Sequence, residues 1–314
     1  MRKRFSFLFL FFFMCGAYAD DAYDLEVALQ NTYRACVGID ESLHDIKVLA
    51  GINTAVTGVG TGLGVGAVAT GFVKQNTDNK LEELEPLLHE MEDLSGRYTG
   101  EEPGAEDIAR FLEEEYNKSY DVAINESVKK EQDKLTQKSK RLGNWRTGLM
   151  AGNTATNIAG AIIASKTINK DGIQGQIETC INATKELNSA IIAAKMSGED
   201  ISEAQQIYNA CREYEYVDIS PINTRGKGAM MASSVGAGLG GAGTVTSAIA
   251  NSNKSRNDNT EKGKQKEKNL NTASNVLAIG ATAASATATV FNATQIAAIK
   301  KVSKVAESCT GVLK

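Results

Sequence analysis

Histidine, proline and tryptophan are nearly missing from this chain of 314 residues, which has two, three and one of them. His44 and His89 stand alone, and no CxxC or Cys/His cluster is present, which excludes the usual ligand spacings of a zinc site. Three prolines and 6% aromatics are too few for a sandwich or barrel, whose strands and turns draw heavily on those residues. No excess of one charge sign exists either. A net charge of -4 excludes the basic footprint of a nucleic-acid partner. No nucleophile has a neighbouring base, so the chain reads as non-enzymatic, with no cofactor and no metal. The run Gly236-Ala237-Gly238-Leu239-Gly240-Gly241 formally fits a dinucleotide fingerprint, but no strand precedes it and no βαβ alternation surrounds it.

What is present begins with an export signal. Arg2, Lys3 and Arg4 precede an apolar run at 5–14, and Ala17-Tyr18-Ala19 supplies small residues before a cut. This pattern predicts a cleaved signal peptide at 1–19 and a mature chain starting at Asp20, periplasmic or extracellular, with envelope association as an alternative. Cys15 raises the alternative of a lipoprotein, but Met14 directly before it is not the small residue a lipobox needs. Four cysteines follow: Cys36, Cys180, Cys211 and Cys309. In an oxidising compartment they read as two disulfides with three possible connectivities.

Two cysteine contexts match, Tyr33-Arg34-Ala35-Cys36 and Tyr208-Asn209-Ala210-Cys211, and each precedes a glycine-rich segment at similar distance. Later, 149–155 resembles 277–283, and Cys180 or Cys309 follows. Self-similarity in fixed order predicts a duplicated unit. The expected fold is all-α: two duplicated antiparallel helical hairpins, 20–196 with an insert at 74–147, and 197–314 with a flexible linker at 251–271. If the segment near Gly62 packs antiparallel on that near Asn157, equal helical rise brings Cys36 to Cys180, and the same count brings Cys211 to Cys309. Pairing of Cys180 with Cys211 across the turn at 197–200 stays open.

Small residues recur every four residues at Gly58, Gly62 and Gly66, at Gly148, Gly152, Thr156 and Gly160, and at Gly236 and Gly240, with Gly280 in the last segment. Residues four apart share a helical face, so these positions predict small-xxx-small packing seams on which another backbone can approach. The pattern resembles the glycine-zipper segments of bacterial envelope proteins. In the insert, Leu81, Leu84, Leu88, Met91 and Leu94 fall at helical spacing. A turn around Pro103 and a return helix through Ile108, Phe111 and Leu112 complete a projecting coiled-coil-like hairpin. Its paired acids, Glu82 with Glu83 and 113–115, read as a solvated face.

Two roles compete. A soluble structural or interaction protein would pack the seams in water and meet a protein partner, or itself, through helical surfaces. A membrane-inserting, pore- or toxin-like protein would put the same hairpins into a bilayer. Asn53, Asn153, Asn157, Asn275 and Asn292, with many threonines, raise the free-energy cost of inserting each segment. Residue energetics taken alone therefore favour the soluble reading.

Overall fold

The computed structural model describes residues 25–96, 106–168, 172–252 and 261–313, with side chains described at 25–86, 126–168, 172–252 and 262–313. The expected signal peptide with Cys15, the turn around Pro103 and the side chains of Leu88, Met91, Leu94, Ile108, Phe111 and Leu112 lie outside the described residues. The described fold is all-α, with no strand among the described residues. Helix α1 is described from 25 to 36, followed by α2 (Ile39–Gly96), α3 (Glu106–Thr167), α4 (Ile173–Ser197) and α5 (Ser202–Cys211). A 3-10 turn (Arg212–Tyr216), α6 (Ser220–Asn251) and α7 (Glu261–Leu313) complete the chain.

Two tight reversals use the left-handed conformation that glycine adopts without strain. Gly38, with φ 86°, separates α1 from α2. Gly198, with φ 84°, ends α4, its N–H and that of Glu199 donating to the Lys195 and Ala194 carbonyls, as helix C-caps do. Asp200 then accepts the Ser202 N–H at 3.0 Å to start α5, and Asp218 accepts that of Ser220 at 3.0 Å to start α6.

The chain divides into two compact units, each drawing segments from both halves of the sequence. Unit 1 is Met1–Gly58, Ile158–Ser234 and Ala286–Lys314; unit 2 is Val59–Asn157 and Val235–Ser285. Unit 1 holds a conventional apolar core in which Ile39, Leu43, Ile177, Leu187, Ile222 and Ile299 are buried together with the four cysteines. Cys36 is bonded to Cys180 and Cys211 to Cys309, with Cα separations of 4.8 and 4.5 Å. In unit 2 successive contacts run antiparallel: Gly60 lies against Thr156, Gly66 against Leu149, and Gly71 against Arg146.

Four helices bury residues in a regular alternation of three and four. In α3 the buried positions are 139, 143, 146, 150, 153, 157, 160, 164 and 167; in α6 they run 222, 226, 229, 233, 236, 240, 243, 247 and 250. In α7 the same alternation runs from 274 to 313, with 275, 298 and 310 buried beside it, and in α2 it runs from 50 to 77 apart from its last step. This is the seven-residue repeat of coiled-coil packing. The stretch 261–271, expected as part of a flexible linker, is helical. It is rich in the helix formers Lys, Gln and Glu, and Lys264 and Lys268 reach Glu85 and Glu82 of α2 at 2.6 and 3.8 Å.

Candidate functional site

The seven-residue repeat decides which side chains face inward, and in unit 2 they are small or polar. Gly60, Gly64, Ala67 and Gly71 of α2 are buried, as are Asn153 and Asn157 of α3, and Gly236, Gly240 and Gly243 of α6. Asn157 Nδ2 donates to Asn153 Oδ1 at 2.7 Å, and the Ser285 hydroxyl donates to the same oxygen at 2.9 Å. Toward the far end of α2, Lys74 is only 1% exposed and pairs with Asp78 at 2.5 Å and Glu267 at 3.6 Å. Ser139 donates to the other Asp78 oxygen. Arg146 is buried as well, but its Nε and Nη2 have no hydrogen-bond partner, and neither has the Asn275 Oδ1 beside it.

Unit 1 has a polar layer of its own next to its apolar core. Asn53 Nδ2 donates to Asn292 Oδ1 at 3.0 Å, and Thr289 bonds Thr57 between hydroxyls at 3.0 Å. All five asparagines that weigh against insertion in the sequence, Asn53, Asn153, Asn157, Asn275 and Asn292, are therefore buried.

The outward faces carry the large apolar side chains. In unit 1 Val48, Ile52, Ile158, Ile162, Met231 and Val290 are exposed. In unit 2 the same holds for Val59, Val65, Phe72, Val73, Val235 and Val245, with Trp145 67% exposed above an open groove formed with Leu63, Gly148 and Leu149. The usual soluble arrangement, large apolar residues inside and polar residues outside, is inverted along these stretches.

The helix-packing glycines expected from the four-residue step fall on different sides of that surface. A Cβ added at Gly160 would stand 2.9 Å from Thr57 and 3.1 Å from Ser233; at Gly236 it would stand 2.7 Å from Asn157, and at Gly240 2.7 Å from Thr154. Gly152 and Gly280 face the leucine methyls of Leu63 and Leu239 at 3.0 Å, and Gly66 faces Leu149 at 3.4 Å. Gly58, Gly62 and Gly148 have no atom within 4 Å of the same point. Close approach in α2 instead falls on Gly60, Gly64 and Gly71, which the step of four misses. A repeat of four residues drifts steadily off a face that repeats every 3.5.

The four cysteines are fully buried, and the sulfurs of Cys36, Cys180 and Cys309 lie within 4.8 Å of one another. Comparison with protein-family models, with curated proteins and with solved structures finds no match.

Proposed function

We propose that this is an exported, non-enzymatic protein that inserts its long helices into a membrane, as a pore-forming or toxin-like protein would. One observation carries the reading: the five asparagines sit inside while valines, isoleucines and Phe72 face outward. The insertion cost assigned to those amides in a linear reading falls where a neighbour satisfies them, as in the Asn53–Asn292 and Asn157–Asn153 bonds, whereas the Asn53 and Asn275 Oδ1 atoms keep theirs. Two helical stretches, Leu25–Pro86 and Lys262–Leu313, reach mean hydropathies of 1.5 and 1.4 in their most apolar windows, of which only 28% is buried. A soluble core helix would hide most of that surface.

Length agrees with a bilayer. Charge-free stretches run over 48–73, 147–165, 228–251 and 269–299, one in each of α2, α3, α6 and α7. The shortest is 19 residues, about 28 Å of helix, against a hydrocarbon thickness of about 30 Å. Exposed threonines are also provided for. Thr246 donates to the Ala242 carbonyl at 2.8 Å and Thr294 to Val290 at 2.9 Å, so neither hydroxyl needs water. The N-terminal signal pattern and the two disulfides support delivery to an oxidising compartment from which insertion would start.

Trp145 is the single tryptophan and borders the charge-free stretch of α3, so it is a built-in reporter. Adding phosphatidylcholine–phosphatidylglycerol vesicles to the purified protein should shift its emission to the blue, and lipids carrying a quencher on the acyl chain should quench it. Unchanged emission, with all protein left in the supernatant after vesicle sedimentation, would return the chain to the soluble interaction reading.

A further inference from the structure

We propose that the four half-cystines of unit 1 form one exchange-competent cluster in which a disulfide can move from Cys180 to Cys309, rather than two independent braces. This inference stands apart from the membrane reading. Its basis is the approach of three sulfurs: Cys36, Cys180 and Cys309 lie within 4.8 Å of one another although Cys309 is bonded to Cys211. Cys36 and Cys180 are bonded to each other. Thiol–disulfide exchange needs a thiolate within reach of a disulfide sulfur, and here each disulfide supplies the neighbour of the other.

The step balances with a dithiol reductant as the external partner. The dithiol cleaves Cys211–Cys309 and leaves as its own cyclic disulfide, giving two protein thiols. The Cys309 thiolate attacks Cys36 Sγ; the Cys36–Cys180 bond breaks, a Cys36–Cys309 bond forms, and Cys180 leaves as a thiolate that takes a proton from water. Cys36 closes α1 and Cys309 lies near the end of α7, whereas Cys180 and Cys211 belong to α4 and α5. A single reduction thereby releases the α4–α5 pair from both of its covalent tethers while the two terminal helices become tied to each other. All four residues are 0% exposed, so the initial cleavage waits on local opening.

Cys211→Ser, made in the full chain with Cys15→Ser, frees Cys309 without any reductant. After hours at pH 8.5, acid quenching and alkylation, a non-reducing peptide map should show Cys309 linked to Cys36, with Cys180 alkylated, in more than about a tenth of molecules. A Cys180–Cys309 link in its place would overturn the proposal. Stoichiometric alkylation of Cys309 beside an intact Cys36–Cys180 bond overturns the proposal. Cys309→Ser is the control, because Cys211 lies outside the close trio. It should keep Cys36–Cys180 and leave Cys211 alkylated, and equal scrambling in both variants would mean exchange through unfolded chains and would also overturn the cluster. Should circular dichroism show Cys211→Ser unfolded, the wild-type cysteines treated with one equivalent of dithiol decide the matter. The Cys36–Cys309 peptide supports the transfer, and native pairs plus free thiols alone refute it.

Discussion

A methyl group added at Gly64 would press against Asn153 Nδ2 at 2.9 Å and against the Thr282 side chain, whereas one at Gly62, two residues earlier, meets nothing within 4 Å. Overpacking a filled site costs about 1–3 kcal/mol. Replacing glycine by alanine on an open helical face gains up to about 1 kcal/mol from propensity. Gly64→Ala should therefore lower the urea midpoint and Gly62→Ala should raise it or leave it unchanged; equal losses at both would contradict the seven-residue register. The cysteine pairing was legible at this scale because it needed only equal helical rise in two arms. The phase of the glycines was not, since residues 58, 60, 62, 64 and 66 are all glycine, and no large side chain marks which phase faces in.

At the scale of the element, the sequence shows that α2, α3, α6 and α7 are helices but misleads about which face they bury. Apolar periodicity locates a core only when the core is apolar. Here inward positions hold Asn153, Asn157, Ser233, Ser285, Lys74 and Arg146, so a search for apolar stripes finds the outer face. The extension of α7 back through 262–271 was hidden for a different reason: its lysines look like linker until Glu82 and Glu85 are seen beside them. The short 3-10 turn, which the sequence did not announce, buries Tyr214 completely in unit 1 with its hydroxyl unpartnered. Burial, with the Asp40 carboxylate adding to it, pushes the Tyr214 phenol pKa up. In the unfolded chain the phenol ionises near pH 10, while the folded form still holds its proton. Above that pH the unfolded state binds fewer protons, so stability falls as pH rises, by at most about 1.4 kcal/mol per pH unit. Tyr214→Phe should remove that alkaline loss and, by deleting an unsatisfied hydroxyl, hold or raise stability at pH 7. Urea midpoints from pH 7 to 11 check it, and a parallel decline in both proteins would assign the loss to other groups.

For the whole molecule, the disulfides reach further than their position suggests. Both bonds lie in unit 1, yet the loop closed by Cys36–Cys180 contains 59–157 and the loop closed by Cys211–Cys309 contains 235–285, the two segments that make up unit 2. Unit 2 carries no cysteine of its own, and glycine, serine and asparagine at its inward positions bury little apolar area with which to offset chain entropy. Closing loops with sequence separations of 144 and 98 restricts the unfolded ensemble of those segments by roughly 5 kcal/mol each on the chain-entropy model, an upper figure. Reduction followed by alkylation should consequently lower amide hydrogen-exchange protection at 149–157 and 236–250 along with that of α4 and α5, although no bond in unit 2 has been touched. If the unit 2 amides keep their oxidised-state protection while α4 and α5 lose theirs, the bonds are local braces and unit 2 holds itself together by helix packing alone. Loss in both units would instead mean that a bundle with so little apolar interior depends on the covalent closure of the loops that contain its segments.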